Sequence, residues 1–174
     1  MRFAGIIAEY DPFHNGHAWQ LAQARVLGAQ RVAVAMSCGL TQRGALPLLP
    51  ESVRVRAALE CGADLVFALP APWACAGAEA FARAGVHLLA ATGCDALVFG
   101  AETPDAALLL ETARVLNSAA YRAALKQQLA AGAVQVAGDG LQRDDALAVL
   151  HAVGLLVGSQ APLDGGRLGL GVHA

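Results

Sequence analysis

The sequence predicts an α/β fold: a Rossmann-like, doubly wound parallel sheet with helices on both faces. Two observations predict it. Short, almost continuously apolar segments alternate with segments of helical apolar spacing, and the helical segments end at glycines. The 174 residues suffice for one such domain with a sizeable core. Right-handed crossovers between parallel strands then favour helices on both faces.

The predicted elements form a series of strands and helices. Strands are predicted at residues 3–8, 31–36, 64–69 and 95–99, and helices at residues 17–27, 51–61, 77–91 and 104–131. Gly28, Gly62 and Gly93 end the first three helices, and Asn117–Ser118 is a candidate break in the fourth. The loops that follow the strands all leave one edge of the sheet, where such folds bind ligands.

The character of the chain changes near Gly132. We assign residues 1–131 to the α/β domain and residues 132–174 to a divergent segment that resembles a truncated end. One further helix is predicted at residues 143–153, and the glycine-rich tail after it is predicted to be partly irregular.

Charge and composition exclude several classes of protein. The net charge of −2 gives no overall basic field, so an RNA partner would need a local patch. The longest apolar stretch, residues 84–101, is interrupted by polar residues, and we expect no membrane span and no signal peptide.

His87, on an apolar helix, is interpreted as a packed side chain. Four cysteines without a CxxC pair indicate reduced, mostly buried thiols in the cytoplasm and no metal site: Cys38, Cys61, Cys75 and Cys94.

The segment from His14 to His17 carries the candidate chemistry. It follows a buried strand and a turn, and a helix begins near Gly16. Backbone N–H groups at a helix N-terminus bind phosphate, and Gly16 would let that backbone approach closely. The two imidazoles could donate hydrogen bonds to negative charge on a reacting phosphate. Surface histidines at a helix cap remain an alternative, and a zinc pair is the weaker one.

Residues 9–17 read Glu-Tyr-Asp-Pro-Phe-His-Asn-Gly-His. Residues 42–44 add Gln-Arg-Gly, residues 62–66 Gly-Ala-Asp-Leu-Val, and residues 99–102 Phe-Gly-Ala-Glu. In combination these motifs resemble the bacterial tRNA(Met) cytidine acetate ligases of the HxGH nucleotidyltransferase superfamily. The resemblance covers roughly residues 3–130.

The resemblance implies that ATP, with Mg²⁺, activates acetate as acetyl-adenylate, and that the acetyl group passes to N4 of the wobble cytidine of elongator tRNA(Met). His14 and His17 become the catalytic candidates. The implied nucleotide contacts are Ala8, Glu9, Tyr10, Asp11, Pro12, Phe13, Asn15, Gly16 and Gly100. Candidate phosphate or acetate contacts are Gln42, Arg43 and Arg54, because a guanidinium fork suits oxyanions.

The chain also departs from the family pattern. Asp11 stands where asparagine is usual, Ala68 replaces a glutamate and Ala101 a serine. Family members are considerably longer, and nothing after Gly132 resembles their RNA-binding portion. Two alternatives therefore stay open. One is a small-molecule adenylyltransferase of the same superfamily, acting on pantetheine phosphate or nicotinamide mononucleotide. The other is a non-catalytic nucleotide-binding remnant.

Overall fold

The computed structural model describes residues 2–100, 106–130 and 169–173. Its strands are β1 (Phe3–Ala8), β2 (Arg31–Ser37), β3 (Leu65–Leu69), β4 (Ala96–Gly100) and β5 (Gly169–His173). Its helices are α1 (Asn15–Val26), α2 (Glu51–Glu60), α3 (Ala78–Ala91), α4 (Ala106–Leu116) and α5 (Ala119–Ala130), with a 3₁₀ turn at Trp73–Cys75. The four predicted strands are confirmed, and so is the break in the predicted fourth helix.

All five strands run parallel, in the order β3-β2-β1-β4-β5. The chain starts at β1 in the centre, moves outward through β2 to β3, and returns to the other side of β1 as β4. This reversal defines a doubly wound sheet, so the predicted fold class is confirmed. β5 lies in the tail that was predicted to be partly irregular, and the sequence pattern did not indicate this strand. A strand pairs through backbone N–H and C=O groups, which a glycine-rich segment supplies without any apolar pattern.

Helices cover both faces of the sheet. On one face, Ile6 of β1 packs with Leu21 of α1 and Ala58 of α2. On the other face, Leu97 of β4 packs with Leu89 of α3. Because successive strand side chains point to opposite faces, burial on both sides requires almost continuously apolar strands.

The three glycines predicted to end helices have positive φ angles. The values are 95° at Gly28, 110° at Gly62 and 87° at Gly93. Glycine adopts this conformation without the steric cost that a Cβ atom brings, so the chain can reverse within one residue. Each reversal leads directly into the next buried strand, as the sequence predicted.

α3 lies unusually close to β1. A Cβ atom added at Gly85 would lie 2.9 Å from the side chain of Ile7, and one added at Gly5 would lie 2.8 Å from Cδ1 of Leu89. Two glycines, one on the helix and one on the strand, therefore permit this contact. The close packing of α3 therefore supports β1, the strand that leads into the candidate site.

Two predictions about burial are wrong. All four cysteines are free, but Cys61 is exposed and Cys38, Cys75 and Cys94 are partly exposed. The reason is position, because they lie at or beyond the ends of elements and not within the strands. His87 is exposed although α3 is apolar, since it lies outside the buried stripe of that helix.

Some predictions fall outside the described residues: the helix at 143–153, the boundary at 131/132, the departure from the family at Ala101 and the match at Glu102. Within the described ranges, no helix combines the length and apolar character needed to cross a bilayer. The same ranges contain no group of three or more His, Cys, Asp or Glu side chains that could hold a metal ion.

Candidate functional site

The strand order reverses between β1 and β4, and we place the candidate ligand crevice at the carboxyl ends of these two strands. The pairing of these strands joins Ala4 to Ala96 and Gly5 to Leu97, near their amino ends. Both strands continue beyond these pairs. Gly100, at the end of β4, is exposed, and a Cβ atom there would meet nothing within 4 Å. This is the place at which doubly wound sheets bind ligands.

Tyr10 turns the chain out of β1 into the β1–α1 loop, residues 9–14. Its φ of 54° is a left-handed conformation that side chains rarely adopt. The side chain is 1% exposed and packs in the core, where burial raises the pKa of the phenol. Its ring centroid lies 4.9 Å from that of Phe13 and 4.8 Å from that of His17. The ring thus supports the loop from beneath, and the nucleotide contact of Tyr10 stays a prediction.

His14 and His17 cap the N-terminus of α1 reciprocally. Nδ1 of His14 accepts a hydrogen bond from the backbone N–H of Gly16 at 3.1 Å. Nδ1 of His17 accepts one from the backbone N–H of His14 at 3.3 Å. The two rings stack with centroids 3.7 Å apart and planes inclined by 24°. Each imidazole is therefore fixed by the first turn of the helix.

These hydrogen bonds select a tautomer for both histidines. A ring nitrogen that accepts a hydrogen bond carries no proton, so in the neutral imidazoles the proton lies on Nε2. Nε2 is also the nitrogen turned away from the capped backbone. The pair thus offers two N–H donors at the N-terminus of α1.

His17 is held in its neutral form. Burial, and secondly the charge of His14, lower the pKa of His17 from 6.5 to about 4. The burial comes from the rings packed around it, those of Tyr10, Phe13 and His14. At neutral pH His17 is therefore a hydrogen-bond donor without a charge.

Gly16 has a structural role that the sequence did not predict. Its N–H is already bound to His14, and a Cβ atom at this position would lie 2.9 Å from Cε1 of that ring. The missing side chain makes room for the imidazole. The donors that the histidines offer to a ligand are their Nε2–H groups, whereas the N–H of Gly16 is already used.

Glu9 and Asp11 bind the neighbouring β2–α2 loop, residues 38–50. A carboxylate oxygen of Glu9 accepts a hydrogen bond from the backbone N–H of Gln42. Oδ1 of Asp11 accepts one from the backbone N–H of Leu48 at 2.6 Å. Two carboxylates predicted to contact the nucleotide thus join two loops.

The three predicted oxyanion contacts lie in different environments. Arg43 is exposed in the β2–α2 loop, and Gln42 beside it has a buried Nε2 without a hydrogen-bond partner. Arg54 is 1% exposed, and its Nη1 donates to the carbonyl oxygens of Glu9 at 2.8 Å and Ser37 at 3.2 Å. Arg54 stays a candidate oxyanion contact, and its charged head lies beneath the loops.

The structure therefore brings together the loop of residues 9–14, the two histidines and Gln42. Gly100 lies at the carboxyl end of β4. Sequence reasoning missed Ser37, whose polar side chain ends the buried strand β2, and Leu48, which contributes only a backbone N–H. The terminal serine was a detectable signal, since buried strands seldom contain polar residues. The backbone contact of Leu48 had no such signal.

Fold and site together place the chain in a class: doubly wound α/β proteins whose ligand site lies at the switch point beyond the first strand. A family model described as HIGH Nucleotidyl Transferase matches residues 1–136. The chain belongs to this family.

Relatives confirm the resemblance predicted from the motifs. Over 118 residues the chain is 46% identical to the tRNA(Met) cytidine acetate ligase of Syntrophotalea carbinolica, an alignment covering 67% of this chain and 28% of the relative. Over 105 residues it is 50% identical to the protein of the same name from Latilactobacillus sakei, covering 60% and 27%.

A solved structure is similar over almost the whole chain. It is Thermotoga maritima TmcAL bound with alpha-thio ATP, with a TM-score of 0.80 and 27% sequence identity. The match covers 99% of this chain and 46% of the TmcAL chain. The chain thus spans under a third of the curated relatives' length and under half of TmcAL.

Proposed function

We propose that this chain is the ATP-binding, adenylate-forming part of a tRNA(Met) cytidine acetate ligase. The observation that carries the proposal is the His14–His17 pair, which presents two Nε2–H donors at a helix N-terminus beside the switch-point crevice. The names of the relatives and the ATP analogue bound to TmcAL support the choice of substrates.

The proposed reaction begins with ATP lying across the crevice. A carboxylate oxygen of acetate attacks the α-phosphorus and forms an O–P bond, while the bond from that phosphorus to the bridging oxygen breaks and pyrophosphate leaves. Negative charge that builds on the phosphates is met by the two imidazole N–H groups. The step requires no proton transfer, so a neutral His17 is suited to it.

The remaining contacts are assigned by position. The backbone of residues 8–16 and Gly100 line the two sides of the crevice, and Arg43 projects from the β2–α2 loop as a candidate anion contact. The described residues supply no cluster of three metal ligands, so magnesium brought with ATP would be held mainly by phosphate and water oxygens.

The second half of the proposal concerns the acetyl acceptor. The acetyl group would pass to the N4 amine of the wobble cytidine of tRNA(Met), releasing AMP. The names of the relatives support this acceptor, and a cytoplasmic location belongs to the same proposal. The chain's net charge of −2 leaves most of the tRNA contacts to surfaces other than the described domain.

The experiment is acetate-dependent exchange of labelled pyrophosphate into ATP. Wild-type protein should exchange only when acetate is present. His17→Ala should lower the rate by roughly 10²–10³-fold, the usual loss for one transition-state hydrogen-bond donor. His87→Ala is the matched control, because His87 is exposed on α3 outside the site, and its rate should equal that of the wild type.

Other results would change the assignment. Exchange that ignores acetate but requires pantetheine phosphate or nicotinamide mononucleotide would replace the acetate ligase with a small-molecule adenylyltransferase. ATP binding by calorimetry without any exchange would leave a nucleotide-holding domain.

A further inference from the structure

Arg54 is a buried cation at the carboxyl ends of β1 and β2. It lies on the core-facing side of α2, one turn before the fully buried Ala58. None of the ion pairs among the described residues includes it. Nη1 donates to the carbonyl oxygens of Glu9 and Ser37, while Nε and Nη2 are buried without a partner.

Such a residue is costly to bury. A guanidinium loses its hydration, and an apolar side chain of similar volume often stabilises a fold at least as well. What an apolar side chain cannot do is donate to two carbonyl oxygens at once. Those carbonyls belong to the residue after β1 and the last residue of β2, the two points at which the polypeptide leaves the sheet.

The contact to Glu9 leads directly to the site. Its carbonyl belongs to the peptide that precedes Tyr10, the residue with the left-handed backbone. The ring of Tyr10 in turn packs 4.8 Å from His17. The carboxylate of Glu9 also accepts a hydrogen bond from the backbone N–H of Gln42. Glu9 therefore connects Arg54 to both the β1–α1 loop and the β2–α2 loop.

We propose that Arg54 is a positioning residue: by fixing the Glu9–Tyr10 peptide it sets the place of the Tyr10 ring and, through it, of the His17 imidazole. Its effect on the rate depends on the proposed function. The effect of Arg54 on the geometry of His17 is independent of the proposed function. The test measures both the rate and this geometry.

The test compares Arg54→Met, Arg54→Lys and the matched control Arg56→Met. Arg56 is exposed on the same helix, so this control removes the same charge without touching the carbonyls.

Arg54→Met should move the His17 Cε1–H resonance, since the Tyr10 ring no longer lies in place. It should also lower kcat for pyrophosphate exchange by about tenfold or more, with a change in KM for ATP of less than about threefold. Arg54→Lys keeps a charged donor and should recover most of both signals. Arg56→Met should resemble wild type.

Several results would overturn the proposal. One is a folded Arg54→Met protein with the wild-type His17 resonance and kcat. Another is a loss confined to KM for acetate with His17 unmoved, because this would make Arg54 a carboxylate contact. A third is an Arg54→Lys protein that regains its melting temperature but not the His17 signal. If Arg54→Met does not fold, Arg54→Gln takes its place under the same criteria. If wild-type protein shows no exchange, the proposed function fails while the resonance still decides the role of Arg54.

Discussion

The first turns of α1 and α3 begin at the same edge of the sheet but are built in opposite ways. α3 starts at Gly77 without a side-chain cap, and its first turn contains Glu79, which pairs with Arg83. α1 has no acidic residue in its first turn, and imidazoles of His14 and His17 bind its backbone. A negative charge near a helix N-terminus complements the dipole. α3 supplies this charge itself, whereas α1 leaves the place open to an anionic ligand.

Among the variants that test this difference between α1 and α3, Gly16→Ala should have the largest effect. The added Cβ atom would lie 2.9 Å from Cε1 of His14 and must displace that ring. We expect pyrophosphate exchange to fall by about 100-fold, as a displacement of about 1 Å in a catalytic group can cause. The melting temperature should change little, since alanine favours helix.

Gly77→Ala is the control for this prediction. Gly77 also lies at a helix start, its φ is −58°, and an added Cβ atom would meet nothing within 4 Å. Exchange should be unchanged in this variant. Equal losses at both positions would show that the two helix starts do not differ as described.

A smaller effect is predicted for charge in the first turn of α1. Asn15→Glu gives α1 the acidic residue that α3 already has, and the new carboxylate should repel the phosphates of ATP. Calorimetry should show roughly three- to tenfold weaker ATP binding, the size expected for charges several ångströms apart near water. Asn15→Gln is the neutral control and Glu79→Gln the control on α3. Unchanged affinity in Asn15→Glu would argue that ATP does not lie at this helix.

The smallest effect is a pH dependence of stability that His17 gives to the start of α1. The pKa of His17 is about 4 in the folded protein and 6.5 for an ordinary histidine, so the unfolded chain takes up the proton first as pH falls. The contribution of His17 to the free energy of unfolding is therefore complete above pH 6.5 and decreases as the pH drops to 4. Because the ring is partly exposed, we expect a loss on the order of 1 kcal/mol. Urea denaturation between pH 4 and 8 should show a shallower slope in His17→Gln than in wild type; identical slopes would contradict the packed, neutral imidazole.

Local pattern explains what could be predicted. The strands were predictable because burial on both faces demands continuous apolar residues, and the helix ends because glycine permits positive φ at Gly28, Gly62 and Gly93. The spacing of His14 and His17 placed both in the first turn of α1. These features depend on neighbours within a few residues.

Contacts between distant residues explain what could not be predicted. Arg54 follows an apolar residue on an otherwise polar helix start, and nothing in that pattern indicates that its charge is buried beneath β1. The carboxylates of Glu9 and Asp11 were assigned to a ligand, but they bind amides about thirty to forty residues away, as the separations of 33 and 37 show. The contact between Gly16 and the His14 ring becomes visible only in three dimensions, so the sequence pattern did not indicate it.

The reciprocal caps of α1 have a consequence for its dynamics. The same hydrogen bonds that close the first turn also hold each imidazole in its Nε2–H tautomer. Fraying of this turn would therefore release both rings and remove the donors at the same moment. Amide hydrogen exchange at Gly16 then reports more than helix stability: the fraction of time in which its N–H is protected is the fraction in which the site is competent.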